Sequence, residues 1–152
     1  MKKIVLLITL FVSAQLAAQD YREMTNGIKT TINTVDIEIQ FVNPATVRIL
    51  KAPRGFQYAK ESLSVNEKPQ QIKLITRQQD GTLKMKSSKL EVHINLISGA
   101  VSFFTPGGKP LFKEKESGEK FTAFNDAGAE TYRVKQSFIL DREEAIYGLG
   151  IL

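Results

Sequence analysis

The chain carries a single histidine, His93, and one dense run of carboxylates, Asp141, Glu143 and Glu144. A sugar 1-epimerase needs a general acid and a general base on opposite sides of the ring, commonly a histidine with a carboxylate. One histidine fills only half of that requirement. In "KLEVHINL" His93 falls between Val92 and Ile94, on the outer face of a two-faced strand or against a second layer, where a hydrogen-bonded structural histidine is the ordinary reading. Two carboxylates can cleave a glycosidic bond if they face each other across a sugar. Asp141, Glu143 and Glu144 are instead neighbours along one turn, with Asp141 and Glu144 at the spacing of a capping box. With no cysteine, no second histidine and no Asp/Glu cluster at ligand spacing, no metal site is expected. Gly148-Leu149-Gly150 lacks the third glycine and the helix of a phosphate loop and reads as a sharp bend. No catalytic, cofactor-binding or metal-binding residue is therefore assigned. Phe41, Phe56, Tyr58, Phe103, Phe104, Phe121, Phe124 and Tyr132 could stack on sugars, but most belong to a core, and tryptophan, the usual flat platform, is absent.

These side chains have to be held by strands, because the prevailing period is two. Val35, Ile37, Ile39 and Phe41 alternate with Asp36, Glu38 and Gln40, as in a strand with one face on a core and one in water. Asn43-Pro44 interrupts the run and Val47 and Ile49 resume it, which predicts a hairpin over 33–51. Ile72 and Leu74 alternate, Asp80-Gly81 turns, and Leu83 and Met85 alternate back. Leu90, Val92, Ile94 and Leu96 form the cleanest strand, followed by a turn at Ser98-Gly99 and a partner carrying Val101 and Phe103. "TPGGKP" ends that partner, and Leu111-Phe112 begins a short return. Residues 113–120, "KEKESGEK", read as a solvated loop, and 52–71 as a long one. Tyr132, Val134, Gln136, Phe138 and Leu140 share one side of a last strand, with Arg133, Lys135 and Ser137 on the other. No helical stripe is sustained after residue 18. Short strands spaced by turns predict an all-β fold, an antiparallel β-sandwich.

At 152 residues the chain has room for one core. Met1-Lys2-Lys3, the apolar run Ile4 to Val12 and Leu16-Ala17-Ala18 predict a signal peptide, 1–18, cleaved after Ala18. The run is too short for a membrane span. Domain 19–152 would follow. Without cysteine there is no lipid-bearing thiol and no disulfide, which suits a periplasmic or secreted product free of the membrane. Without Lys2 and Lys3 there are 19 basic and 16 acidic residues, an ordinary solvated surface and not a nucleic-acid footprint.

The closing segment "YRVKQSFILDREEAIYGLG", Tyr132 to Gly150, resembles the end of the N-terminal β-sandwich of glycoside hydrolase family 31, the α-glucosidases and α-xylosidases. There a strand runs into E-x-hydrophobic-Y-G-L-G before the catalytic barrel. "TVRILKAP" from Thr46 resembles an early strand of that domain, and "KLEVHINLISGAVSFFTPGGKPLFKEK" from Lys89 its hairpin. The resemblance implies a galactose-mutarotase-like sandwich of the supersandwich type. It also implies that the nucleophile and acid/base of a retaining reaction lie in a (β/α)8 barrel following this domain; no position here matches either motif. Where the family has Gln or Glu after the second glycine, this chain has Ile151-Leu152, which points to a shifted frame, a truncation or a split gene with the barrel in a neighbouring reading frame.

The expected function is that of a non-catalytic, carbohydrate-associated domain of a periplasmic α-glycosidase, inactive alone, whose parent enzyme acts on α-linked glucosides or xylosides. Two other classes remain open. One is a stand-alone sugar-binding or mutarotase-like protein, against which stand the lone histidine, the missing tryptophan and the short chain. The other is an adhesion or assembly module that pairs through sheet edges.

Overall fold

A computed structural model describes residues 21–56 and 69–144, and every regular element among them is a strand. The expected signal peptide and the closing Tyr-Gly-Leu-Gly turn lie outside the described residues. One sheet has the order β1 (Tyr21–Met24), β2 (Gly27–Ile32), β3 (Val35–Asn43), β4 (Thr46–Pro53). Strands β5 (Ile75–Gln79), β6 (Thr82–Lys86), β7 (Glu91–Asn95), β8 (Val101–Phe104) and β9 (Pro110–Glu114) continue the chain. With β12 (Phe138–Ile139) they form a six-stranded sheet in the order β12-β9-β8-β7-β6-β5, and among the described residues β10 (Lys120–Asp126) pairs only with β11 (Ala129–Lys135). All pairings are antiparallel.

The apolar side of each alternating strand explains the stacking. Ile28 and Ile32 of β2 and Ile37, Ile39 and Phe41 of β3 meet Leu83, Met85, Val92, Ile94 and Val101 of the larger sheet in one buried cluster. Burying each such side chain contributes about 2 kcal/mol relative to exposure, and one-face burial fixes the register of every strand. The predicted sandwich is thus present.

Hairpin geometry follows from the turn residues. The β3–β4 hairpin falls where alternation placed it, with the Ala45 amide donating to Asn43 Oδ1 at 2.9 Å. Asp80 and Gly81 both adopt positive φ, 49° and 69°, as a tight two-residue hairpin turn requires. At Gly27 the constraint is a neighbour, not φ: a Cβ there would overlap the Ile39 carbonyl oxygen and crowd Gln40 Cα at 2.9 Å. Gly27→Ala should push β2 from β3 and cost about 1–3 kcal/mol as overpacking, visible as a lowered urea midpoint at unchanged m-value.

Four readings of the sequence are corrected. Ile72 and Leu74 precede β5; they pack half-buried on the core, because this stretch bonds toward the other sheet, Gln70 N–H donating to the Val42 carbonyl at 2.8 Å. The strand expected over 132–140 breaks at Gln136-Ser137. Gln136 Nε2 donates to Glu114 at 2.6 Å and the Ser137 carbonyl accepts from Lys115 N–H at 2.9 Å, so the chain leaves β10 and joins β9. Residues 113–120 are not a solvated loop throughout: Lys113 and Glu114 lie in β9, and the Glu114 and Glu119 side chains are only 7% and 9% exposed. The strands β1, β2 and β10 had not been expected.

The six-stranded sheet is wider than the sheet that covers it. Along one inner row Met85 and Val92 are fully buried, whereas Phe112 is 37% exposed and Phe138, on the same face beyond it, 39%. The two rings stack with centroids 4.5 Å apart. The separate β10–β11 pair leaves Tyr132 and Val134 exposed on one of its faces. Uncovered apolar side chains thus lie on β9 and β12 and, in the separate pair, on β11.

Candidate functional site

His93 sits mid-strand on the outer face of the six-stranded sheet, as the alternation implies. Its Nε2 lies 2.7 Å from Glu91 Oε1, two residues back on the same face, and Glu91 Oε2 is 3.2 Å from Lys86 Nζ. The imidazole also packs on Phe104 with centroids 4.4 Å apart. A cleft of about 560 Å³ opens beside it, lined also by Asn95, Ser102, Lys113 and Glu116. His93 and Glu91 share one strand face and bond to each other, so they cannot flank a sugar ring from opposite sides. Their spacing of two was the available signal for the pair.

Asp141, Glu143 and Glu144 are exposed on a turn. The Asp141 amide donates to Glu144 Oε2 at 3.2 Å, and the Glu144 amide to the Asp141 carbonyl at 3.1 Å. This supplies the backward half of the capping interaction, from the third residue to the first, on a turn and not a helix.

The densest ionic constellation is one that sequence reasoning missed. Lys51 of β4 reaches across the sandwich to Glu114 of β9 at 2.6 Å and Glu119 at 3.8 Å, its own side chain 6% exposed. The ammonium also donates to the Gly99 carbonyl at 2.9 Å. Glu114 accepts from Val101 N–H at 2.8 Å and from Gln136, so one carboxylate ties together β4, the start of β8, β9 and the β11–β12 junction. Glu119 Oε2 has no hydrogen-bond partner among the described residues and depends on the charge of Lys51. The inward parity of Lys51 with Val47 and Ile49 was the only hint. Two buried carboxylates on one ammonium are a structural clamp, since the lysine fills the space that a substrate would need.

A second cleft, about 640 Å³, lies on the four-stranded sheet and includes Arg22, Lys29, Asp36, Glu38 and Phe56. Asp36 accepts from Thr31 Oγ1 at 2.6 Å and Gly55 N–H at 2.9 Å, and these bonds, the hydroxyl's first, hold its carboxyl below the ordinary 3.8. Glu91 also lies below its ordinary 4.5: burial, the largest single influence, pushes it up, but the His93 and Lys86 hydrogen bonds and charges together outweigh it. Both carboxyls titrate lower folded than unfolded. Their stabilisation is therefore complete above the unfolded values and is lost as pH falls through the lowered folded ones. Urea midpoints should decline below about pH 4, and Asp36→Asn should flatten that acid limb while lowering the neutral-pH midpoint; an unchanged limb would refute the assignment.

Among the described residues no group of three or more His, Asp or Glu could hold a metal ion. No helix there is long and apolar enough to cross a membrane.

Residues 36–151 match the glycosyl hydrolase 31 N-terminal galactose mutarotase-like domain. Among solved structures the chain is similar to a GH31 α-xylosidase from Xanthomonas citri, with 26% identity and a TM-score of 0.77. The likeness covers 85% of this chain and 14% of that one. No curated protein matches. The matched region holds β3 from its second residue and every later strand, including the uncovered apolar side chains and the Lys51 clamp, and on that extent the chain belongs to the glycosyl hydrolase 31 N-terminal galactose mutarotase-like domain family.

Proposed function

We propose that this domain is the non-catalytic lobe of an exported α-glycosidase and seats a catalytic barrel against the uncovered apolar side chains of β9 and β12, with those of β11 as further contacts. The observation that carries this reading is the fading burial along the inner row, from Met85 and Val92 to Phe112 and Phe138. Exposed stacked aromatics over a polar rim mark a surface that expects another body. The family membership supports a glycosidase barrel as that body, and the likeness to an α-xylosidase supports α-linked xylosides or glucosides as substrates of the assembled enzyme. The barrel would come from the same chain or from a neighbouring reading frame, and the assembled enzyme would work in the periplasm or outside the cell, after the leader at 1–18 is removed.

The test is a surface substitution. Phe138→Ser with Val134→Ser should reduce binding of an apolar fluorescent dye severalfold and shift the melting temperature by only a few degrees, since both side chains are largely outside the core. Dye binding that is unchanged would remove the face from the account.

A further inference from the structure

The outer face of the six-stranded sheet carries an arrangement that barrel seating does not use. The register places Arg77, Lys84, His93, Ser102 and Lys113 in one row, each directly opposite the next across β5, β6, β7, β8 and β9. Direct opposition puts them on one face. The row runs perpendicular to the strands and spans four strand spacings, about 19 Å. Arg77 faces Lys84 with no anion between them, an opposition of like charges that costs stability in a sheet. None of Arg77, Lys84 and Lys113 has a carboxylate within ion-pair reach among the described residues. Glu91, on the same face, is already taken by Lys86 and His93, and Glu116, in the cleft with Lys113, is in no ion pair among the described residues. Gln79, Thr82 and Asn95 form a neutral row alongside, and open clefts lie along the face, one holding Arg77, Lys84 and the Lys86–Glu91 pair, the other His93, Lys113 and Glu116.

We propose that this face binds an acidic oligosaccharide, a uronate-containing chain laid across the strands with its carboxylates on the cationic row and its hydroxyls on the neutral one. The direction of the row selects among anions. An acidic peptide that joined this sheet would run along an edge strand and pair through its backbone, whereas the cations here cross the sheet. A single-stranded nucleic acid would want free aromatic platforms, and the Phe104 ring is occupied by His93, with Lys113 5.9 Å from its centroid. A linear polyhydroxyl chain with regularly repeated carboxylates meets both rows. The inference stands on this face alone and does not depend on the barrel.

Calorimetric titration of the whole chain with an oligogalacturonate, a neutral xylo-oligosaccharide of equal length and polyglutamate tests it. The oligogalacturonate alone should bind, more weakly as salt is raised. The triple variant Arg77→Gln, Lys84→Gln, Lys113→Gln should bind about tenfold more weakly, the combined effect of three exposed charge contacts. Lys73→Gln, Lys120→Gln, Lys135→Gln removes equal charge elsewhere and should bind as the wild type does. If the triple variant fails to fold, Lys84→Gln alone should weaken binding about twofold. Absence of binding, equal loss in the control variant, or polyglutamate binding that disappears with the same row would each overturn the proposal.

Discussion

Lys51→Met is expected to cost about 3–5 kcal/mol of folding stability, the range for removing one partner of a buried ion pair. The side chain would keep much of its volume, so the loss is electrostatic and not a cavity. Glu114 and Glu119, both nearly excluded from solvent, would be left with no cation among the described residues, where Glu119 Oε2 already lacks a hydrogen bond. Adding Glu114→Gln to Lys51→Met should recover part of the loss, because a neutral amide oxygen still accepts the Val101 N–H that Glu114 now takes. Denaturant titration of the two variants decides the matter. A single-variant loss below about 1 kcal/mol would be the value of a surface pair, and the clamp would then not hold the two sheets.

The second large effect is an absence. The pure chain should release no phenol from aryl α-xylosides or aryl α-glucosides above the buffer rate. A retaining glycosidase needs two carboxyls about 5–5.5 Å apart across an open site. The buried and half-buried carboxylates in the described residues are engaged otherwise: Glu114 and Glu119 on Lys51, Glu91 on His93 and Lys86, Glu38 on Lys29, and the more exposed Asp36 on Thr31 and Gly55. Turnover proportional to protein, and abolished by substituting one of these acids, would show a site that this account lacks.

How much of this was legible in the sequence depended on how far apart the partners lie along the chain. The hairpins around Asn43-Pro44, Asp80-Gly81 and Ser98-Gly99 were readable because alternation and turn chemistry are local and agree. The β1–β2 hairpin had its own signal in Asn26-Gly27, where Asn26 adopts φ of 57°, but threonines at 30 and 31 blurred the apolar period. Strand β10 was hidden differently. Its residues are mostly exposed on both faces, so no core imposed a period of two. The break at Gln136 was illegible because a side chain 22 residues away, Glu114, draws it off the strand. The Lys51–Glu114 pair spans 63 residues and two sheets, and such a charge inside "RILKAP" declares itself only once the topology is known. By contrast the Tyr132-to-Gly150 segment carried the family resemblance without any knowledge of its packing.

The central claim is that a sandwich lobe presents an uncovered apolar face to a second domain. Sedimentation of the isolated chain with an apolar dye tests it most directly. The account predicts strong dye binding together with self-association that grows with concentration, as Phe112, Phe138, Tyr132 and Val134 find cover in another copy. A monodisperse monomer that leaves the dye unbound would contradict it.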